Sequence, residues 1–278
     1  MPQRILLVLL IATCTLSSGC ATVRRELGYA LISDKTELEL GAKFAAQIEA
    51  QQRLHPDRRL QSYIQRITKA LLPPAIEDRP GIRYRVKVLD DPKQINAFAV
   101  LGGYLYVYSG LLLIAEDEAE IAGVLAHEIG HIVGRHSANQ LAARFGMDLL
   151  TSLALGEDPY QLGQIASQLG SARFSRDDER EADTFGVRYA IEAGYDPRGL
   201  LRFFEKLKKL EAHRRSDLEN LFASHPPTGE RIRRIERLID QYGASGGQNY
   251  RARFVRETEI LRRKRTPDTI FDRLRRLE

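Results

Sequence analysis

Residues 124–136 read VLAHEIGHIVGRH, and this stretch decides what the rest of the fold must support. Its apolar residues recur at helical spacing and predict a helix that begins near Ala115. At about 100° per residue, His127 and His131 project within about 40° of each other, so both imidazoles can bind one Zn²⁺ ion. Glu128 lies one step round the helix, where its carboxylate reaches a water molecule instead of the metal. The alternative is a partly buried helix that carries its histidines incidentally.

Another element is expected to approach this helix closely. Gly123, Gly130 and Gly134 lie beside the histidines. Each glycine destabilises a helix interior by about 1 kcal/mol relative to alanine. Three of them on one side therefore indicate a close contact, and a catalytic zinc site needs a third protein ligand from such a neighbour.

The third ligand is sought in the stretch SRDDEREAD, which opens a helix predicted from about Asp177 to Ala193. Glu179 and Asp183 share one face of that helix, whereas Glu181 projects almost oppositely and is predicted to be solvated. Burying a carboxylate is costly unless it is paired or binds a metal. One of the two acids can therefore ligate while the other hydrogen-bonds a ligand histidine, and the helix geometry does not decide which. A structural ion pair with a neighbouring arginine is the alternative.

Strand patterns occur in one part of the chain. Residues 82–89 alternate apolar and basic side chains, which is typical of a half-buried strand. In residues 96–110, two β-rich stretches flank Gly102-Gly103, a signal for a two-residue hairpin. An exposed edge at residues 96–101 could bind an extended peptide as a further strand. A strand, a hairpin and many helices predict an α+β domain that is mostly helical.

Two further helices and a linker complete the predicted domain. Residues 34–72 have helical periodicity, and Pro73-Pro74 is expected to end that helix because proline lacks a backbone donor. A last helix is predicted at about 228–242. Residues 243–247 are glycine-rich and read as a linker.

The N-terminus has the pattern of an export signal. Arg4 precedes the apolar run 5–12, which is too short to span a membrane. We therefore expect a signal peptide at residues 1–19, lipidation at Cys20 in a lipobox-like sequence, and a tether at 20–33. Plain cleavage that leaves Cys20 an idle thiol is the alternative. Cys14 and Cys20 are the two cysteines, so a chain cleaved before Cys20 cannot form an internal disulfide.

The basic charge of the chain is concentrated near its C-terminus. The net charge is +5, and residues 246–278 hold ten Lys and Arg against five Asp and Glu. This basic tail could contact anionic lipid, although a solvated helix face is the commoner explanation. The remainder is balanced, which argues against nucleic acid as a partner.

Five separated motifs occur along the chain. The two that carry the candidate ligands are His127-Glu128-x-x-His131 and, second, Ser175-Arg176-x-x-Glu179-x-Glu181-Ala182-Asp183. The others are Asn96-Ala97-Phe98 through Tyr106-Val107, which precedes them, and Gly194-Tyr195-Asp196-Pro197 and Ser224-His225-Pro226 with Arg231, which follow. Together they resemble the zinc metallopeptidase family that includes HtpX, BepA, LoiP and the CAAX prenyl proteases. The likeness covers about residues 35–242. The chain lacks the multiple membrane spans and the helical-repeat domain of other members, and it most resembles compact lipoproteins such as LoiP.

The resemblance implies a zincin-type metallopeptidase domain at residues 34–245 that binds one Zn²⁺ ion per chain. It implies that the first glutamate of the second motif is the metal ligand. In some relatives the histidine of the late His-Pro loop can also occupy the open position of the zinc and hold the enzyme latent. The implied roles are metal ligation by His127, His131 and Glu179, support by Asp183, general base catalysis by Glu128, oxyanion contacts by His225 and Arg231, and substrate binding at an edge strand with Asn96, Ala97 and Phe98.

The features together predict a zinc endopeptidase that degrades misfolded or unassembled proteins of the bacterial cell envelope. It would be lipid-anchored on the periplasmic side, at the outer membrane rather than the inner. A latent, metal-stabilised chaperone or assembly factor for outer-membrane proteins is one rival, and a structural adaptor is another. His136, the last residue of the opening stretch, is predicted to lie at the surface.

Overall fold

The computed structural model of the chain describes residues 32–171, 173–214, 219–226, 228–244 and 246–263. The predicted signal peptide 1–19, Cys20 and all but the last two residues of the tether lie outside these ranges, as do residues 264–278 of the tail. Within the described ranges, no helix combines the length and the apolar character that crossing a bilayer requires.

The described residues form many helices and a small sheet, which confirms the predicted mostly helical α+β class. Strands β1 to β3 span Arg85–Leu89, Ala97–Val100 and Tyr104–Tyr108, and a 3₁₀ turn covers Leu169–Ser171. Helices α1 to α12 span, in chain order, Asp34–Gln51, Arg58–Asp78, Ser109–Ile114, Glu118–Val133, His136–Leu155, Pro159–Gln168, Arg176–Glu192, Arg198–Arg214, Glu219–Ser224, Gly229–Gln241, Arg251–Glu257 and Glu259–Arg263.

The sheet of the described residues contains the predicted hairpin. Its strand order is β1-β3-β2, with β1 parallel and β2 antiparallel to β3. Val100 pairs with Tyr104, so the hairpin loop has three residues instead of the predicted two. Gly102 and Gly103 both adopt positive φ, 77° and 94°. That conformation favours glycine and turns the chain too sharply for either residue to extend a strand.

The sheet separates two apolar cores. Side chains on a strand alternate between its two faces. Accordingly, Ala97 and Ala99 of β2 face a larger core shared with α2, α4, α7 and α8. Phe98 and Val100 face a smaller core shared with α1, α5 and α6. All four residues of β2 are buried, because helices cover both faces of this strand.

The first long helical region differs from its prediction. Instead of one helix over 34–72, α1 ends at Gln51, and Asp57 caps α2 with a side-chain contact to the Leu60 amide. Pro73 and Pro74 do not end α2, which continues to Asp78. The prolines leave the carbonyls of residues 69 and 70 without helical donors. Both of those residues are exposed, so water can satisfy their carbonyls, and the helix continues.

Helices α4 and α7 pack together through glycine. A Cβ atom added to Gly130 would lie 3.0 Å from the Cα atom of Ala182, and one added to Gly186 would lie 3.2 Å from the Cα atom of His127. A side chain at either position would separate the two helices. The close approach that the glycines predicted is therefore made in part by α7, which carries the candidate acids.

The first part of the predicted basic tail packs against the domain. Phe254 is fully buried, and Arg253 forms a two-pronged ion pair with Glu118 at the start of α4. Glu118 also accepts hydrogen bonds from Tyr63 and Tyr195, each 2.7 Å long. The boundary predicted after residue 245 therefore does not coincide with a loss of packing. The sequence prediction judged this segment by its basic charge, which does not reveal that Phe254 is buried against the domain.

Candidate metal centre and active site

Two capped helices bring the metal-binding side chains together. Asp117 caps α4 by accepting from the Glu120 amide, and the whole of α4 is buried. Ser175 and Asp178 form a capping box that starts α7 and sets the rotation of its first turn. With that rotation, Glu179 faces the histidine side of α4.

Four side chains offer a compact set of ligand atoms. One atom each from His127, His131, Glu179 and His225 lies within 4.8 Å of the others, and all four residues are buried. The Nε2 atoms of His127 and His131 are 3.1 Å apart, and the Glu179 oxygens lie 3.6 and 3.4 Å from them.

These distances fit a zinc ion. Zinc bonds to nitrogen and oxygen are about 2.1 Å long, so two ligand atoms of a tetrahedral site are ~3.4 Å apart. The separations of 3.1 to 3.6 Å within the group match that edge length. Imidazole nitrogens and a carboxylate are also the donors that zinc accepts. The group therefore fits a zinc ion in both its geometry and its chemistry.

Glu179 and Asp183 lie at different places, although the helix geometry left their roles open. Glu179 contacts the Nε2 side of the two histidines. Asp183 is fully buried behind His127, with its Oδ1 atom 3.1 Å from Nδ1. The Arg231 guanidinium holds the pKa of Asp183 below its usual range against the opposing effect of burial.

Glu128 is buried beside the metal site. Its Oε1 atom lies 3.5 Å from Nε2 of His225, and its Oε2 atom has no hydrogen-bond partner among the described residues. Burial raises the pKa of Glu128, while His225, His127 and a backbone hydrogen bond from Ala99 act in the opposite direction. The carboxylate thus has one oxygen free to accept a proton next to the zinc site.

His225 lies against the other three members of the ligand group. It follows α9 directly, and its Nδ1 atom is 2.8 Å from Glu179 and 3.4 Å from Nε2 of His127. Burial alone would lower its pKa, but Glu179 and Glu128 reverse that effect and raise it. A histidine at this place can complete a four-ligand group.

Arg231 contacts carboxylates. It donates through Nε and Nη2 to Asp183, at 2.9 and 2.6 Å, and its Nη1 atom lies 2.6 Å from Glu179. Nη1 also donates to the carbonyl of Pro226. All three guanidinium nitrogens are thereby engaged. A role as an oxyanion donor stays a prediction, and it would require Arg231 to give up one of these contacts.

His136 is buried, so its predicted surface position was wrong. Only 3% of the residue is exposed, and its Nδ1 atom lies 2.8 Å from Nδ1 of His131. The preceding Arg135 adopts a left-handed conformation, with φ 58°, which ends α4 and turns the chain back. Helical periodicity assumes a continuous helix, so it cannot predict where a residue beyond such a turn lies.

Two more residues of the site were missed or misjudged. Phe174 stacks on the imidazole of His131, with ring centroids 4.0 Å apart. Glu181, predicted to be solvated, lies 3.3 Å from Nε2 of His136 while keeping 32% of its side chain exposed. In the sequence, an aromatic residue directly before the Ser175-Arg176 motif was the available signal for Phe174.

The predicted edge strand is an edge strand, but it is not exposed. β2 pairs with β3 on one side, and the 3₁₀ turn lies along its other side. Asn96 donates through Nδ2 to the Gly170 carbonyl at 2.7 Å, and the Phe98 ring packs against the same glycine. Because the covering turn comes from far along the chain, the strand pattern could not reveal it.

Comparison with known proteins identifies relatives. The model of a family described as peptidase family M48 matches residues 56–239. Metalloprotease YcaL of Escherichia coli is 36% identical over 57% of this chain and 62% of its own length. Metalloprotease LoiP of the same organism is 32% identical over 59% of this chain and 64% of its own length. The chain thus spans less than two thirds of each.

Two further relatives are covered over smaller shares of their own lengths. The mitochondrial metalloendopeptidase OMA1 of Schizosaccharomyces pombe is 32% identical over 64% of this chain and 53% of its own length. The β-barrel assembly-enhancing protease of Escherichia coli is 27% identical over 70% of this chain and 42% of its own length. The resemblance stated from the sequence motifs is confirmed.

Proposed function

The chain belongs to peptidase family M48, a zinc-dependent family, and from this premise we propose that it is a zinc endopeptidase that cleaves unfolded polypeptides. The observation that carries the proposal is the convergence of His127, His131 and Glu179 on one point, with the unpartnered oxygen of Glu128 beside it. A zinc site that serves only to stabilise a fold does not need a buried, unsatisfied carboxylate oxygen next to it.

In the proposed mechanism, His127, His131 and Glu179 hold the zinc ion. When bound, zinc supplies Lewis-acid chemistry that activates water and polarises the scissile carbonyl. Glu128 accepts the proton of the attacking water at Oε2 and delivers it to the leaving amine. Burial excludes other water molecules and restricts the positions that the Glu128 carboxylate can adopt.

The residues behind the ligands keep them oriented. Asp183 lies at Nδ1 of His127 and favours the tautomer in which Nε2 carries a lone pair for the metal. Arg231 contacts both Asp183 and Glu179, and its positive charge reduces the repulsion between these two buried carboxylates. We assign Arg231 to this role in the resting enzyme.

His225 is proposed to hold the enzyme latent. Its contacts with Glu179 and His127 support a position in the path of an incoming substrate or nucleophile. An incoming peptide would displace it, and its imidazole would then lie within reach of the developing oxyanion. The same residue would thus restrain the resting enzyme and assist the working one.

An extended peptide is the proposed substrate, bound along β2. Asn96 accepts from the Tyr108 amide, so hydrogen-bonded pairs alternate from there and the backbone groups of Ala97 and Ala99 point away from β3. The groups of Ala97 can pair with a substrate strand once the turn at 169–171 moves aside. The Ala99 amide donates to Glu128 and its carbonyl accepts from Ser137, so a substrate would have to replace those two bonds. Recognition through backbone groups is largely indifferent to side chains, which suits cleavage of unfolded chains.

The proposed location is the bacterial cell envelope, with lipidation of Cys20 as the anchor, at the outer rather than the inner membrane. Misfolded or unassembled envelope proteins are the proposed natural substrates. This proposal is supported by the export pattern of the first twenty residues and by a relative described as a β-barrel assembly-enhancing protease. Contact between the basic tail and anionic lipid belongs to the same proposal.

Degradation of a denatured protein tests the function. The zinc-loaded chain is expected to cleave casein, and Glu128→Gln is expected to abolish cleavage while zinc remains bound at one ion per chain. Glu192→Ala, an exposed acid on α7, serves as the matched control. Full activity of Glu128→Gln would remove Glu128 from the mechanism, and a chain without stoichiometric zinc would refute the ligand set.

A metal-stabilised chaperone is the second candidate, favoured by the buried position of His225 over the ligand group. A site that never opens would bind zinc for stability alone. In that case the chain would bind unfolded clients without cleaving them, and His225→Ala would leave this unchanged. Cleavage that appears or accelerates in His225→Ala would instead support a latent peptidase.

A further inference from the structure

The two ligand histidines of the site are supported differently. Nδ1 of His127 faces the buried Asp183 directly, at 3.1 Å. Nδ1 of His131 faces another imidazole, that of His136, at 2.8 Å. A metal-bound histidine usually donates its second ring proton to a carboxylate, carbonyl or water, so a histidine in this place needs its own explanation.

Two features of the chain hold the His136 imidazole against His131. Arg135 takes up a left-handed conformation, and its buried guanidinium lies 2.9 Å from Glu37, which fixes the turn. The His136 imidazole then packs directly over Gly134, where any Cβ atom would overlap with the ring. A residue with a side chain at 134 would expel His136 from its place against His131.

The proton positions follow from the geometry. Two facing Nδ1 atoms can share one proton only, so one ring donates and the other accepts. His131 must keep a lone pair on Nε2, which faces His127 and Glu179, and its proton is therefore on Nδ1. His136 accepts that proton's hydrogen bond at Nδ1 and carries its own proton on Nε2, 3.3 Å from Glu181.

We propose that His136 and Glu181 are positioning residues that hold His131 in its metal-binding tautomer, through a relay from Glu181 to His136 to His131. The inference rests on the proposed ligand set. The relay extends the usual carboxylate support by one imidazole and brings it to an acid at the protein surface. Removal of such support typically lowers metal affinity by about 10- to 100-fold.

Zinc affinity separates the relay from simple packing. His136→Leu fills the space but cannot accept a hydrogen bond, so its zinc affinity is expected to fall by about 10-fold or more. His136→Asn places an amide oxygen near the position of Nδ1 and is expected to recover most of the affinity. Affinity is measured by competition with a chromophoric chelator, and thermal unfolding of the metal-free variants checks that each one folds.

Glu181→Ala provides a second variant that does not disturb the buried part of the site. It is expected to lower zinc affinity by a smaller factor than His136→Leu, because water can replace an exposed acceptor. Glu192→Ala on the same helix is the control and should bind zinc like the wild type.

Three outcomes would contradict the proposal. Wild-type affinity in His136→Leu would overturn the relay while leaving the ligand set intact. Equal losses in His136→Leu and His136→Asn would mean that ring packing, not hydrogen bonding, is what matters. A wild-type chain that binds no zinc would refute the ligand set, and the relay with it.

Discussion

Gly130→Ala should weaken both the fold and the zinc site, because it separates the two helices that share the ligands. The added Cβ atom would lie 3.0 Å from the Cα atom of Ala182 and from the Cβ atom of Phe185. Carbon atoms in favourable contact are about 3.5–4.0 Å apart, so α4 and α7 would have to separate by about 0.5–1 Å. Ligand distances at a metal tolerate about 0.2 Å.

The magnitude follows from that strain. Overpacking costs about 1–3 kcal/mol, and alanine regains about 1 kcal/mol through its better helix propensity. A net loss of about 1 kcal/mol lowers the Tm of a domain this size by about 2–4 °C. Zinc binding requires α4 and α7 to return to their native spacing, which brings back the clash at position 130. The zinc affinity of Gly130→Ala should therefore fall by about tenfold, the equivalent of 1.4 kcal/mol.

Gly163→Ala is the matched control for this experiment. It lies in helix α6, and an added Cβ atom would find its nearest neighbour at 3.5 Å, an ordinary contact. Its Tm should rise, since only helix propensity changes, and its zinc affinity should stay that of the wild type. Differential scanning fluorimetry and chelator competition measure both quantities. If Gly130→Ala behaved like Gly163→Ala, the account of how the helices position the ligands would be refuted.

Other perturbations address the remaining parts of the structure. Asp183→Asn should lower zinc affinity by about 10- to 100-fold, because it removes the anionic partner of the His127 ring; the exposed Asp177→Asn on the same helix should not. Phe254→Ala should destabilise the protein by about 3–5 kcal/mol in chemical denaturation, whereas the neighbouring, exposed Val255→Ala should change stability little. Chelation of zinc should lower the Tm, and the shift should grow with added zinc concentration, because the ion binds the folded state only; a Tm independent of zinc would contradict a preformed site.

Most of the candidate site could be predicted from the sequence, because its residues lie one helical turn apart on single helices. His127 and His131 share a face because they are one helical turn apart, and Glu179 and Asp183 do so for the same reason. What periodicity could not supply was the direction in which each carboxylate points. That depends on Arg231, which binds Asp183 and draws it behind His127, and which comes from a helix much later in the chain.

The errors occurred where the tertiary surroundings decide the local structure. Pro73 and Pro74 stay in a helix because solvent reaches the carbonyls they leave unpaired, and exposure is a tertiary property. His136 is buried because Arg135 adopts a positive φ, which the local sequence does not predict. The edge at β2 is covered by a turn that is distant in sequence. In each case, the tertiary surroundings outweighed the local preference.

The ion pair between Glu118 and Arg253 has a consequence for how the protein is made. A nascent chain leaves the ribosome N-terminal end first, so the catalytic helix and its acids are synthesised well before Arg253 and Phe254. Until those residues arrive, the start of α4 keeps a buried carboxylate without its cation. The start of α4 can therefore reach its final packing only after residues 253 and 254 have been synthesised.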